Sequence, residues 1–180
     1  MDLSSSAPPP EDLAATVAPA DPESVARKIL LDQLTGRART RHELAGKLAA
    51  RNVPTDIATT LLDRFEDVGL IDDAAFARQW VEQRREGRGL AGRALSAELR
   101  RKGVPDEVIR EALDEQEPDA EIEAARVAVR RKLRSVQRLD RDVATRRLVG
   151  MLARKGHSPG VAYRLVREEL QIVEDETGIE

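Results

Sequence analysis

The fold is decided by the stretch LSAELRRKGVP at residues 95–105, because the chain contains this stretch in three related versions. Its counterparts are LAGKLAARNVP at residues 44–54 and LVGMLARKGHS at residues 148–158. Each version has two leucines four residues apart, as on one face of a helix, and a Gly or Asn eight residues after the first leucine. Glycine and asparagine tolerate the left-handed conformation that ends a helix, so each stretch predicts a helix followed by a tight turn.

The similarity continues on both sides of these stretches. Apolar residues lie 19 and 15 residues before the first leucine, and 13 and 18 residues after it, in all three copies. Gly and Pro residues separate segments with helical spacing, and no segment alternates apolar and polar residues long enough to predict a strand. The copies are offset by 51 and 53 residues. We therefore predict an all-α fold: three tandem three-helix repeats forming an elongated, curved array, with a core shared between stacked neighbours.

The breakers set the expected boundaries. We expect first helices at about 22–35, 72–86 and 119–134, second helices at about 41–51, 90–102 and 141–155, and third helices at about 55–67, 106–116 and 159–171. The predicted organisation is a disordered tail at 1–20, repeats at 21–69, 70–117 and 118–171, and an acidic tail at 172–180. The first 20 residues are mostly Ser, Pro and Ala with a few acids, a composition that cannot form a packed core.

The composition excludes several classes of function. The chain has no cysteine and only two histidines, which excludes disulfides, thiol nucleophiles and a multi-histidine metal site. No apolar run approaches the roughly 20 residues that span a membrane, and the N-terminus lacks the charge and apolar pattern of a signal peptide. We expect a cytoplasmic protein without membrane contact, metal or cofactor. An extended array also offers little concavity for small-molecule chemistry.

A net charge of −3 conceals strongly charged segments. Residues 78–102 carry +5, residues 104–123 carry −8 and residues 126–155 carry +9. The basic segments bind an anionic partner, pair with the acidic run inside the molecule or form a solvated face, and these readings stay open. The residues predicted to contact a partner are Arg84, Arg85, Arg88, Arg93, Arg100, Arg101, Lys102, Arg130, Arg131, Arg134, Arg146 and Arg147.

The stretch GRGLAG at residues 87–92 matches the G-x-G-x-x-G pattern of dinucleotide sites. Such a site needs a preceding strand, whereas a charged helix end precedes this stretch, so we predict an interhelical turn. A phosphate bound by free amides at the start of the next helix, beside nearby arginines, remains an alternative.

Other polar and aromatic residues have structural explanations. We expect His42 and His157 at the surface or in capping positions, and Asp72-Asp73 as a helix cap. Phe76 and Trp80 fall at repeated apolar positions and are expected in the core. Few aromatic residues then remain that could stack against bases. We therefore do not expect the protein to bind single-stranded nucleic acid by base stacking without regard to sequence.

The stretch GLIDDAAFA at residues 69–77 resembles the signature of the RecX family of bacterial recombination regulators. Matching pieces are RTRHELAGKL at 39–48, REGRG at 85–89 and ELRRKGV at 98–104. Their order and spacing are similar to the family pattern over about residues 22–171, as is the threefold repeat of three helices. Asn52 departs from the pattern, since a glycine is usual there.

This resemblance implies a regulatory function. Proteins like RecX are non-enzymatic modulators of RecA, the recombinase that polymerises on single-stranded DNA. The resemblance implies that this protein binds RecA and RecA–single-stranded DNA filaments and mainly inhibits recombinase, ATPase and coprotease activity in DNA repair and the SOS response. We expect it to act as a monomer. It assigns no catalytic residue. The alternative is a stand-alone helical DNA-binding protein whose basic segments contact the phosphate backbone directly.

Overall fold

The structure, a computed structural model, describes residues 21–117 and 119–177, and every element in these ranges is a helix. The helices are α1 (Pro22–Leu34), α2 (Arg41–Ala49), α3 (Thr55–Asp67), α4 (Asp73–Arg88), α5 (Gly92–Arg101), α6 (Asp106–Asp114), α7 (Ala120–Leu133), α8 (Arg141–Arg154) and α9 (Pro159–Thr177). The predicted all-α fold of three tandem three-helix repeats is confirmed. Repeat 1 contains α1–α3, repeat 2 contains α4–α6 and repeat 3 contains α7–α9.

Side-chain caps fix where several helices begin. The Asp21 carboxylate accepts hydrogen bonds from two first-turn amides of α1, where Pro22 supplies the first helical residue. Thr40 and Glu43 form a capping box at the start of α2. The Asp72 carboxylate accepts a hydrogen bond from Ala75 N at 2.7 Å at the start of α4. The predicted capping role of Asp72 is therefore confirmed.

The second helix of each repeat ends in the same way. The residue eight positions after the first leucine is left-handed in every repeat, with φ of 55° at Asn52, 77° at Gly103 and 93° at Gly156. The next amide donates to the carbonyl of the second leucine at 3.1–3.2 Å, which is the six-to-one bond of a Schellman motif. The three tight turns predicted from the repeated stretches are present.

The buried apolar residues form three clusters, one in each repeat. Aliphatic side chains dominate all three, and Phe65 and Phe76 are the phenylalanines that belong to them. Trp80 is only partly buried and packs at the edge of the second cluster. The expected core shared between neighbours is therefore replaced by three separate cores.

Five helix limits differ from prediction by two residues or more, and packing explains two of them. Helix α9 continues to Thr177, past the predicted end at residue 171, because Leu170 and Val173 still pack against the third cluster. Residues 172–177 are thus helical. Helix α5 begins at Gly92, since Leu90 and Ala91 are buried in the preceding turn. The predicted tail at residues 1–20 and the last three residues of the acidic tail lie outside the described residues.

Repeats 1 and 2 are joined at the start of α2. The Thr40 hydroxyl donates to Lys102 O at 2.7 Å, at the end of α5. The Arg41 amide donates to the Asp73 carboxylate at 2.9 Å, at the start of α4. Asp73 was predicted to cap a helix, and it does so for α2 of the preceding repeat.

Repeats 2 and 3 are joined through the corresponding positions. The Ala91 amide donates to Lys155 O at 2.9 Å, at the end of α8. The Gly92 amide donates to the Glu121 carboxylate at 2.7 Å, in the first turn of α7. We call this shared arrangement the inter-repeat joint. In each joint, the start of the second helix of one repeat is hydrogen-bonded to two parts of the following repeat, the end of its second helix and the first turn of its first helix.

His157 is part of the second joint. Of the two positions expected for it, the surface position is wrong, whereas the capping position is confirmed by its hydrogen bond to Gly89, the C-cap residue of α4. The residue is 4% exposed, and Nε2 lies 2.9 Å from Gly89 O. A carbonyl oxygen only accepts, so Nε2 carries the donated hydrogen. Nδ1 lies 3.7 Å from a carboxylate oxygen of Glu121. The sequence places this histidine in a turn, but only the packing of repeat 3 on repeat 2 buries it.

Candidate functional site

The largest group of basic side chains without acidic partners lies on repeat 3. All its members are exposed, and none has a carboxylate within 4 Å among the residues that the structure describes. We call this group the repeat-3 basic surface; its members are Arg131, Lys132, Arg134, Arg138, Arg146, Arg147 and Arg154. The long acidic run at residues 104–123 therefore does not neutralise it.

Four of these cations converge on one cavity. A cavity of about 340 Å³ lies between α7, the connection that follows it and α8, and Lys132, Arg146, Arg147 and Arg154 line it. Its remaining lining residues are apolar or small, and none is acidic. A concave site with four cations and no carboxylate attracts an anion such as a phosphate.

The packing of α8 sets the direction of these arginines. Leu148 and Leu152 are buried in the third cluster and fix the inner face of the helix. Arg147 and Arg154 are seven residues apart and therefore share the face next to it. Gly150 lies between them, and its missing side chain leaves space at the cavity.

The basic residues of repeat 2 are mostly paired within the molecule. Arg84 and Arg88 both lie beside Glu98, at 3.5 and 3.1 Å. Arg100 pairs with Asp106 at 2.6 Å, as α5 passes into α6. Glu98 lies outside the acidic run at residues 104–123, whereas Asp106 belongs to it, as does Glu115, which lies 3.9 Å from Arg78. The reading in which the basic segments pair with that run thus describes only part of this repeat.

Lys102 and Trp80 form a second internal cluster. Lys102 Nζ lies 2.7 Å from a Glu43 oxygen and 4.5 Å from the centre of the Trp80 ring, while the Arg84 guanidinium lies 4.1 Å from that centre. Burial raises the pKa of Glu43, but hydrogen bonds from Lys102 and the Thr40 amide outweigh this, so its pKa is lowered. The tryptophan ring is thus engaged with cations of its own chain.

The twelve predicted contact residues divide into three groups. Arg85 is buried. Five are paired with carboxylates, namely Arg84, Arg88, Arg100, Lys102 and Arg130. Six are exposed and have no carboxylate partner in the described part of the chain, namely Arg93, Arg101, Arg131, Arg134, Arg146 and Arg147. The structure brings Arg146 and Arg147 together at the cavity and places Arg93 and Arg101 on α5, in another repeat.

The predicted set omits two of the four cations that line the cavity. Lys132 lies at the end of α7, and Arg154 lies near the end of α8. Arg154 could have been predicted from the sequence, because it follows Arg147 by seven residues and therefore shares its helix face. No sequence signal indicates that Lys132 faces α8, because that contact depends on how the two helices pack.

The glycine-rich stretch at residues 87–92 is an interhelical turn, as predicted. Gly89 is left-handed with φ of 63° and ends α4. The amides of Ala91 and Gly92, which would bind a phosphate, already donate to Lys155 O and Glu121. The phosphate alternative for this stretch is therefore wrong, since a carboxylate of repeat 3 occupies the position.

Comparison with known proteins gives the family. Models of the first, second and third three-helix domains of RecX match residues 26–65, 72–113 and 119–166. A curated relative, "Regulatory protein RecX" of Streptomyces lividans, is 53% identical over 153 residues, which cover 85% of this chain and 81% of that protein. The chain belongs to the RecX family. "Regulatory protein RecX" of Mycobacterium avium (strain 104) is 49% identical over 170 residues, covering 93% of this chain and 95% of the relative.

A solved structure shows the same fold. The crystal structure of RecX from Lactobacillus salivarius has a TM-score of 0.73, with 20% identity, and covers 83% of this chain and 97% of that chain. The three matched RecX domains correspond to the three repeats, and the third contains the whole repeat-3 basic surface. No described helix of this RecX-family chain is both long enough and apolar enough to cross a membrane. The described residues hold no cluster of His, Asp and Glu suited to a metal ion.

Proposed function

We propose that this chain regulates RecA: it binds RecA and RecA–single-stranded DNA filaments and mainly inhibits recombinase, ATPase and coprotease activity. The regulation is by docking, as a monomer in the cytoplasm, with no catalysis of its own. Membership of the RecX family supports this, because the curated relatives are named regulatory proteins.

The observation that carries the proposal is the repeat-3 basic surface. Seven exposed cations without acidic partners in the described chain make a strong local field, although the net charge is −3. Such a field draws the protein toward DNA phosphates and acidic protein surfaces and orients it during encounter. A filament presents the same surfaces repeatedly, so several weak contacts from one array add through effective concentration.

A second candidate function is direct DNA binding without RecA. The cavity lined by Lys132, Arg146, Arg147 and Arg154 favours it, since four cations without a carboxylate suit a phosphate. Both functions use the same surface. They differ in whether the protein still binds RecA when no DNA is present.

The test is RecA ATPase activity on single-stranded DNA with substoichiometric amounts of this protein. We expect the wild type to lower the steady-state rate. The double variant Arg146→Glu/Arg147→Glu should require about tenfold more protein for the same inhibition, because two attractive charges become repulsive. The matched control is Lys47→Glu/Arg51→Glu, which makes the same change of net charge on exposed residues of repeat 1. The control should inhibit like the wild type.

Parallel binding measurements separate the candidate functions. RecA without DNA and DNA without RecA are each titrated with the wild type and the double variant. No effect of the wild type on RecA would contradict the proposal. Loss of DNA affinity with RecA affinity intact would favour the stand-alone DNA-binding function. ATP turnover by the protein alone would contradict regulation by docking.

A further inference from the structure

Arg85 is a buried cation without an ionic partner. It lies on α4, is 6% exposed, and its Nε is buried without a hydrogen-bond partner. Nη1 has only a long contact of 3.4 Å to the Gln116 side chain. No carboxylate among the described residues lies within 4 Å. Burial lowers the pKa of the Arg85 guanidinium, and the charge of Glu121 opposes that effect. A guanidinium in this position destabilises the free protein unless an anion joins it.

The side chain lines a cavity between repeats 2 and 3. This α4–α7 cavity has a volume of about 440 Å³. Ala120, Ala124 and Val127 of α7 form its apolar part, and Val127 is 39% exposed. The remaining lining residues are polar or charged, namely Gln116, Glu82, Glu86, Glu123 and Arg131.

The cavity follows from the way the two helices meet. A Cβ at Gly89 would lie 2.9 Å from Ala124 O and 3.0 Å from Ala128 Cβ, so only glycine allows this approach at the end of α4. The alanines of α7 permit the contact and leave space one turn away, beside Arg85. The cavity is therefore fixed by the packing of the fold and does not depend on one side-chain rotamer.

We propose that the α4–α7 cavity binds one carboxylate side chain of a protein partner, carried on a segment with basic residues beside it. The carboxylate pairs with Arg85, whose planar guanidinium suits two parallel hydrogen bonds. The flanking basic residues meet Glu82 and Glu86, which are exposed and have no ion pair with any described residue. The stem of the acidic side chain contacts Val127.

The charges around the cavity select a protein over a nucleic acid. The three glutamates of the lining outnumber its two arginines, so the lining as a whole repels the continuous charge of a phosphate backbone. A single acid between basic residues meets both the guanidinium inside and the glutamates around it. This cavity and the cavity lined by Lys132, Arg146, Arg147 and Arg154 thus recognise different partner chemistry. We take RecA as this protein partner, so the inference rests on the proposed function.

The experiment compares binding and stability in the same variants. Arg85→Met replaces the buried charge by an apolar side chain of similar length, so its midpoint of thermal unfolding should equal or exceed that of the wild type. Its dissociation constant for RecA should rise about tenfold or more through loss of the charge-assisted pair. Arg85→Lys should lose part of the affinity, because lysine lacks the bidentate geometry. The control is Arg78→Met on the same helix, which is exposed and should bind like the wild type.

Each result decides one of the two proposals. Wild-type protein that does not bind RecA overturns the proposed function. Wild-type binding that is unchanged in Arg85→Met overturns the cavity inference alone. If Arg85→Met fails to fold, the exposed pair Glu82→Gln/Glu86→Gln decides: weaker binding supports the inference, and an unchanged dissociation constant overturns it.

Discussion

The residue that ends each second helix differs between the repeats for a steric reason. Asn52 is exposed in repeat 1. Gly103 lies against α2 of repeat 1, where a Cβ would come within 2.6 Å of His42 Cδ2. Gly156 lies against α5 of repeat 2, where a Cβ would come within 2.9 Å of Ala94 Cβ. Repeats 2 and 3 therefore need glycine for conformation and for space, whereas repeat 1 needs only the left-handed conformation.

This difference predicts unequal effects of alanine. Gly103→Ala should lower the free energy of unfolding by about 2–4 kcal/mol, from left-handed strain together with overlap at the inter-repeat joint. Asn52→Ala has the same strain without the overlap and should lower it by about 1–2 kcal/mol. Urea denaturation followed by circular dichroism measures both. Equal losses in the two variants would show that the joint does not confine Gly103.

Single residues were predictable where the reason was local. The positions of Asn52, Gly103 and Gly156 follow from the repeated leucines, and the cap at Asp72 follows from its place before an apolar helix. The burial of His157 was not predictable, because it results from contact with Gly89 in another repeat.

At the scale of elements, Glu169 shows how α9 is attached to α7. It is 2% exposed, and its oxygens accept hydrogen bonds from Arg130 Nε at 2.7 Å and Arg126 Nη1 at 2.9 Å. Burial raises the pKa of Glu169, but the hydrogen bonds from Arg130 and Arg126 outweigh it, so the pKa is lowered. The ionised carboxylate therefore stabilises the packing of the two helices.

Glu169→Gln should lower the free energy of unfolding by about 1–3 kcal/mol at pH 7, because charge-assisted hydrogen bonds are lost. The lowered pKa of Glu169 means that this contribution is fully present above the ordinary pKa of glutamate, about 4.3, and disappears as the pH falls through the folded-state value. Thermal unfolding of both proteins at pH 7, 5 and 3 should give curves that converge at low pH. A difference that stays constant with pH would show that the charge of Glu169 is not what holds α9.

Helix type and order were predictable, while limits set by packing were less so. The leucine spacing and the breakers indicate every helix. The end of α9 depends on Leu170 and Val173 reaching the third cluster, and the start of α5 depends on Leu90 and Ala91 being buried. These limits depend on tertiary contact, which local periodicity does not encode.

At the scale of the whole molecule, charge is separated by repeat. The seven cations of the repeat-3 basic surface lack acidic partners in the described chain, whereas most basic residues of repeat 2 are paired. The sequence located the basic segments but not their pairing, because side chains such as Lys102 and Glu43 are far apart in the chain and meet only through the joint.

This separation predicts how DNA affinity depends on salt. Binding of single-stranded DNA by the protein alone should weaken with ionic strength, and each lost phosphate contact should reduce the slope of log affinity against log salt by about 0.7. Arg146→Glu/Arg147→Glu should therefore flatten the slope by about 1.4. Fluorescence anisotropy between 50 and 300 mM salt measures it. An unchanged slope would place the phosphate contacts elsewhere on the molecule.

The hydrogen bonds of the inter-repeat joint determine which positions of a RecX-family sequence can change without disturbing the packing of the repeats. Each of its four hydrogen bonds has a main-chain atom at one end: Lys102 O, Lys155 O, Arg41 N or Gly92 N. Main-chain groups survive almost any substitution, and the Ala91 N to Lys155 O bond has them at both ends. The other three bonds also need the side chains of Thr40, Asp73 and Glu121, so the register between repeats constrains these three positions while most of the helix surface is free to diverge.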